Sequence, residues 1–422
     1  MISEKRESYQ YFQFPNGIRL IHRQTNSAVA NVGLMIDVGT RDELSEENGM
    51  AHLIEHMMFK GTIRRKAYHV LSRLEHIGGD LNAFTTKEET CIHASFMAPY
   101  YDRVVELFSD IFFHSTFPEQ ELEKEKDVII DEIKSYKDNP AEEILDEFEN
   151  QLFKGHPIGR NILGTEENLL KLKRDNIIRF IASNYSTQKI VIASVGNIKF
   201  EKLLRVVGLY FNEIGSASIT HSREVFTDYD TSQRREERHN YLSHCMIGNI
   251  AFSRKDPHKH ALILVNNILG GQGLNSRLNL NIREKYGFAY TIDSQYASYS
   301  DTGMFAVYFG TDPKSVDKTI SLVYKELDKL RNVKLGSLQL HRAKLQLIGQ
   351  LAINFESGLT EMLSIARSHL LFDKVDTMQQ VIKKIDNLNE MQLMEAAQLT
   401  FDPKNLSTLL YLGREEYAKP NE

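Results

Sequence analysis

One order of elements occurs twice in this chain: strand, helix, a Gly-Gly stop, then more strands. In the first half, Val29 to Val38 reads as a buried strand ending at Gly39. Asn48 to Phe59 has helical spacing, and Val70 to His76 reads as a second helix stopped by Gly78-Gly79. Residues 82–97 are rich in Thr, Ile and Phe and read as strands. In the second half, Cys245 to Phe252 is strand-like, and Asp256-Pro257 opens a helix that runs to Leu269 and stops at Gly270-Gly271. Strands follow from Ala289 to Gly310. A pattern repeated half a chain apart predicts two related domains rather than one large one. The expected class is α+β, with two similar α/β domains of sheet flanked by helices. The stretch from Gly215 to Arg238 lacks apolar periodicity and is the best linker candidate. The expected limits are therefore 1–215, a linker over 216–238, and 239–422.

The composition is that of an ordinary globular protein. With 422 residues, 41% of them hydrophobic and 26% charged, the chain can bury a large core without staples. Two cysteines, Cys91 and Cys245, could make at most one bridge, which excludes a disulfide framework. A net charge of −6 argues against a general nucleic-acid binder. No apolar run approaches the ~18 residues that cross a bilayer. Residues 1–7 lead to no apolar signal region, and residues 419–422 carry no lipidation or retention signal. The expectation is a soluble, cytoplasmic protein with neither membrane nor nucleic acid as partner.

The predicted helix at residues 49–62 carries chemistry. His52-Leu53-Ile54-Glu55-His56 spells H-x-x-E-H, the inverse order of the familiar zinc-protease helix. Residues four apart share a helix face, so both imidazoles project the same way and can grip one metal ion. On a wheel with Met50 as origin, His52, Glu55 and His56 fall at about 200°, 140° and 240°. Leu53, Ile54, Met57 and Met58 cover about 300° through 0° to 80°. One face is thus apolar, and the other holds two histidines and a glutamate. Glu55 lies where it can hold a metal-bound water without being a ligand itself.

Such a site needs a third ligand. The helix after Pro118 is rich in acids, most of them expected to be solvated charges. With Leu122 at zero, Ile129, Ile133 and Tyr136 fall at about 340°, 20° and 320°, while Glu125 and Glu132 fall at about 300° and 280° on the same inward arc. Asp127 and Asp131, at about 140° and 180°, face away. A buried carboxylate needs a cation, a metal or strong donors. Glu132 is the expected third ligand. Glu125 is the expected residue behind it, orienting a ligand or the water.

H-x-x-E-H followed by Glu125-Lys126-Asp127-Val128-Ile129-Ile130-Asp131-Glu132 resembles the M16 zinc metallopeptidases, the inverzincin family of insulin-degrading enzyme and mitochondrial processing peptidase. Gly39-Thr40-Arg41-Asp42-Glu43, Phe59-Lys60-Gly61-Thr62 and Gly78-Gly79-Asp80-Leu81-Asn82-Ala83-Phe84-Thr85 agree with it. The likeness spans nearly the whole chain, which resembles the shorter bacterial members and the processing-peptidase beta subunit. It implies mostly antiparallel sheets and one half of a clamshell, with Zn2+ as cofactor. It also implies that Arg283 and Tyr290 are the family's Arg/Tyr pair, Tyr290 helping to stabilise the tetrahedral intermediate and Arg283 holding substrate carbonyls. On residue type alone, Arg283 reads as a surface charge and Tyr290 as a core aromatic. The substrate would add as a strand near Asn82, Ala83 and Phe84, a sequence-tolerant mode.

The second-half helix has no H-x-x-E-H, so the C-terminal domain cannot make its own site of this type. One chain carries both the metal motif and the Arg/Tyr pair, which favours a self-sufficient homodimer over a heterodimer with another chain of the family. The expected function is a zinc-dependent endopeptidase acting on peptides or short unfolded chains in a closed chamber. Its zinc-bound water would be activated by Glu55, and its oxyanion stabilised by zinc and Tyr290. The alternatives are a subunit of a heteromeric peptide maturase and a non-catalytic structural relative.

Overall fold

The structure, a computed structural model, describes residues 9–219 and 222–414. The terminal segments in which no targeting signal is expected lie outside these residues. The chain forms two α/β units, each a mixed sheet with helices packed on it. The first sheet runs β1 (Gln10–Gln13), β2 (Arg19–Gln24), β6 (Ile190–Gly196), β3 (Val29–Ile36), β5 (Thr90–Met97), β4 (Asp80–Thr85) in spatial order. The second runs β7 (Gln233–Glu237), β11 (Ser407–Leu412), β8 (Ser243–Ala251), β10 (Gly303–Thr311), β9 (Ala289–Ser298). In each sheet one pair is parallel, β2 with β6 and β7 with β11, and the remaining pairs are antiparallel.

The two orders are the same pattern. Setting β1 aside, each sheet places its first, fifth, second, fourth and third strands side by side. The helix α1 (Met50–Met58) follows β3, as the Lys259–Gly270 helix follows β8. The repeat read from the sequence is thus a repeat of topology.

The division between the units differs from the limits expected from sequence. The first unit takes the chain up to Ile133, then Arg160–Arg223 and Leu351–Gln379. The second takes Lys134–Gly159, Glu224–Gln350 and the chain from Gln380 onward. Two helices explain the difference. The Gly358–Phe372 helix sets Met362, Ile365 and Ala366 against Ile21, Met35, Val191 and Ala193 on one face of the first sheet. The Pro140–Leu152 helix sets Ile144, Phe148 and Leu152 against Met246, Ala306, Leu409 and Tyr411 of the second. An amphipathic helix needs an apolar face to cover, and its own sequence does not say which sheet provides it.

A second correction concerns the expected linker. Residues 233–237, read as solvated linker, form strand β7, parallel to β11. The strand is entirely polar because it ends the sheet and only half-buries one face, and charged edge strands resist pairing with other chains. Tyr136, placed on the inward arc of its helix, is exposed. Among the described residues, no helix is long and apolar enough to cross a membrane.

The larger core of the first unit fills the other face of its sheet. There α1, the Tyr101–Phe113 helix and the Glu119–Lys137 helix bring Leu53, Met57, Leu107, Phe108, Leu122 and Ile129 together with Val32, Leu34 and Ile92. Met362 lies on the opposite face and is fully buried. Replacing it with Ala should destabilise the first unit by about 2–5 kcal/mol through lost burial and a cavity. Hydrogen exchange would then rise across β3 and β6. Unchanged protection there would show that this helix does not hold the first sheet.

Candidate metal centre

Helix α1 begins where few helices can. Its N-cap, Gly49, has φ +98° and no side chain to cap the exposed amides. An added Cβ would meet the Leu163 carbonyl oxygen at 2.8 Å. The missing cap comes from upstream. Glu43 accepts from the amides of Ala51 at 2.8 Å and Gly49 at 3.0 Å, and from Asn48 Nδ2 at 3.1 Å. A carboxyl group at this end also complements the helix dipole. Burial pushes Glu43 up to about 8, against the pull of these donors and Arg160. Sequence reasoning missed this residue. The available signal was an acid-bearing segment, Thr40 to Glu43, ahead of a helix whose first residue offers no acceptor.

With its start fixed, α1 buries Leu53, Ile54, Met57 and Met58 in the core and turns His52, Glu55 and His56 the other way. The rings of His52 and His56 lie 4.6 Å apart, edge to face. The helix α2 (Ala67–Glu75) follows, then α3 (Tyr101–Phe113) and α4 (Glu119–Lys137). Leu122, Ile129 and Ile133 of α4 enter the core and bring Glu125 and Glu132 to the histidines.

A Glu132 oxygen lies 4.0 Å from His52 Nε2 and 3.9 Å from His56 Nε2. One ligand atom from each of the three residues falls within 4.8 Å of the others. A hydrogen bond would draw such a pair to ~2.7–3.0 Å. A tetrahedral ion with bonds of ~2.0–2.1 Å would hold its ligand atoms roughly 3.3 Å apart. The observed spacing is too long for direct bonding and slightly open for a bound ion.

The protonation chemistry fits a cation as well. Burial, and then His56, push His52 down to about 4, so its imidazole stays neutral with a lone pair to give. His56 Nδ1 lies 3.0 Å from Glu125 Oε2, which fixes the proton on Nδ1 and leaves Nε2 facing Glu132. Lys60 Nζ, missed by sequence reasoning, holds the other Glu125 oxygen at 2.5 Å. Two imidazoles and one carboxylate are a donor set suited to zinc, with room for a further ligand.

Glu55 is not one of the three clustered residues, but it lies close enough to feel the charges of His56 and Glu132. Its Oε2 accepts a hydrogen bond from Thr85 Oγ1 at 2.6 Å. Burial raises its pKa, the Thr85 hydroxyl and His56 lower it, and Glu132 raises it. Thr85, on β4, was also missed, because no local pattern links it to α1.

The other predicted residues are placed as follows. Asn82 is exposed and donates to Asp80 at 2.9 Å. Ala83 packs against the core cluster under α1, and Phe84 against the cluster under the Gly358–Phe372 helix. Among the described residues no strand pairs with the outer backbone edge of β4, which ends its sheet. Arg283 and Tyr290 belong to the second unit. Arg283 lies in a wide, π-type turn over Asn279–Glu284 and donates to Asn279 Oδ1 at 3.2 Å. Tyr290 is 58% exposed on β9, so it is not a core aromatic. Cys91 and Cys245 are both free and buried.

Comparison with known proteins agrees with this architecture. A family model described as Insulinase (Peptidase family M16) matches residues 19–166, and one described as Peptidase M16 inactive domain matches residues 171–347. An uncharacterised zinc protease of Bacillus subtilis, YmxG, is 32% identical over 379 residues, covering 89% of this chain and 91% of that protein. An uncharacterised zinc protease of Streptomyces coelicolor is 29% identical, covering 88% and 82%. Among solved structures, a peptidase M16 inactive domain from Pseudomonas fluorescens superposes with a TM-score of 0.89 at 18% identity, covering 96% of this chain and 98% of that one. A protease from Helicobacter pylori gives 0.87 at 20% identity, covering 96% and 99%. The chain belongs to the M16 family of zinc metallopeptidases.

The lowered pKa of His52 has a stability consequence. The folded, metal-free protein favours neutral His52, so this contribution is complete above about pH 6.5. It is lost as pH falls from there toward about 4. The metal-free chain should therefore melt at lower temperature across that window, and His52→Asn should flatten part of the slope. Identical pH slopes in the two proteins, followed by calorimetry, would contradict a buried neutral imidazole.

Proposed function

We propose that this protein is a zinc-dependent endopeptidase that cuts peptides or short unfolded chains. The observation that carries the proposal is the convergence of His52, His56 and Glu132, with Glu55 beside them on the same helix face. His52, His56 and Glu132 would hold the ion. Bound zinc supplies Lewis acidity, making a water easier to deprotonate and drawing charge from the scissile carbonyl.

The remaining roles fall to the chain's own groups. Glu55 accepts the proton from the attacking water and passes it to the departing amine. A carboxylate whose pKa burial raises is a stronger base for that transfer than a solvated one. Glu125 and Lys60 keep the His56 proton on Nδ1. The half-exposed Tyr290 hydroxyl and the Arg283 guanidinium are the donors assigned to the oxyanion and to substrate carbonyls.

Substrate choice follows from the open edge of β4. The side chains of Ala83 and Phe84 are engaged in packing, so the recognition offered there is main-chain pairing with an extended peptide. That mode tolerates many sequences and demands an unfolded strand. The chain would work as a homodimer in the cytoplasm, a heterodimer with a second family member being the alternative.

Glu55→Gln keeps the size and shape of the side chain but removes the base. Cleavage of a fluorogenic peptide should fall by about 10²–10⁴-fold, while zinc content measured on the purified chain stays at the wild-type level. Undiminished cleavage by a zinc-loaded variant would contradict the assignment.

A further inference from the structure

We propose that Thr85 is a positioning residue for Glu55, holding one carboxylate oxygen so that the other is presented to the attacking water. This rests on the endopeptidase reading above and extends it to a residue outside the H-x-x-E-H helix.

The geometry is specific. Thr85 Oγ1 lies 2.6 Å from Glu55 Oε2, and no other group among the described residues donates a hydrogen bond to that carboxylate. A glutamate turns about three side-chain bonds, so a carboxylate without a partner spreads over several rotamers. Fixing one oxygen removes most of that freedom before substrate arrives, and preorganised groups spare the reaction that ordering.

Thr85 is itself held firmly. It closes β4 opposite Thr90 of β5, and its alternation places it with Leu81 and Ala83 on the face packed against α1. Immediately after it the chain makes a tight turn. The Thr86 amide donates to the Glu89 carbonyl at 2.8 Å, and the Thr86 hydroxyl accepts from the Glu89 amide at 3.0 Å. The turn is tied down by ion pairs, among them Arg41 with Glu88 at 2.8 Å and Arg367 with Glu89 at 2.6 Å. Threonine is β-branched, so its hydroxyl has few χ1 positions and stays aimed. The donor therefore rides on a rigid strand end rather than on a loop.

The strand that carries this donor also ends its sheet, with no strand paired to its outer side among the described residues. A peptide extending the sheet at β4 would lie along the backbone that orients the base. Thr85 is thereby a link between where substrate binds and where the proton goes.

The test compares Thr85→Val, which keeps the shape and loses the hydroxyl, with Thr85→Ser, which keeps the hydroxyl. Thr85→Val should lower kcat by roughly 10- to 100-fold with KM within about twofold. Zinc affinity, measured by competition against a chromogenic chelator, and melting temperature should stay near wild type. Thr85→Ser should restore kcat to within a few-fold of wild type. Crystal structures should show Glu55 ordered in Thr85→Ser and displaced or multiply placed in Thr85→Val. Wild-type kcat in Thr85→Val would overturn the proposal, as would equal losses in both variants accompanied by lower melting temperatures. If the wild-type protein shows no chelator-sensitive cleavage, the endopeptidase reading fails. The Glu55 conformation in the Thr85→Val crystal then decides the positioning role by itself, an unmoved carboxylate overturning it.

Discussion

Two imidazole nitrogens and one carboxylate oxygen face each other across a gap none of them can close alone. His52 Nε2 and His56 Nε2 lie 4.0 and 3.9 Å from the same Glu132 oxygen. His52 is held neutral by burial. His56 keeps its proton on the side of Glu125. Two imidazoles and one carboxylate converge on one point at a spacing compatible with a shared cation, and the packing of the first unit holds that arrangement. Glu43 supports it by anchoring the start of α1. Thr85 and Lys60 support it by fixing the groups around the ligands.

The anchoring is done largely with buried charge. Arg41 pairs with Glu88 where both side chains are almost wholly enclosed. Arg223 reaches Asp37 at 2.8 Å and Asp42 at 2.9 Å beside them. Such pairs add little net stability against an apolar alternative, but removing one partner strands a charge and costs about 3–5 kcal/mol. They favour a single arrangement of the segment before α1, which carries Glu43, and of the turn after β4, which follows Thr85. Precision at the cluster of His52, His56 and Glu132 is thus secured by groups outside it.

This distribution explains what could be read from the sequence. The cluster of His52, His56 and Glu132 was legible in part because two spacings lie within single helices: His52 and His56 four apart, Glu125 and Glu132 seven apart, both set by helical periodicity. The repeated topology was legible for the same reason, as a recurring order of local patterns. Glu43, Lys60 and Thr85 act across tertiary contacts, and no spacing rule encodes those. The exchange of helices between the units was hidden because the apolar faces of Gly358–Phe372 and Pro140–Leu152 fit either sheet. Strand β7 was hidden because an edge strand needs no apolar residues. The family likeness reached Arg283 and Tyr290, which residue chemistry alone misjudged in the case of the exposed Tyr290.

The most direct measurement is zinc K-edge X-ray absorption on the purified full-length chain. It should report one zinc per chain with two imidazole nitrogens and at least one carboxylate oxygen at ~2.0–2.1 Å. A protein that binds no zinc, or whose first shell lacks imidazole, would contradict the convergence of His52, His56 and Glu132 on a single ion.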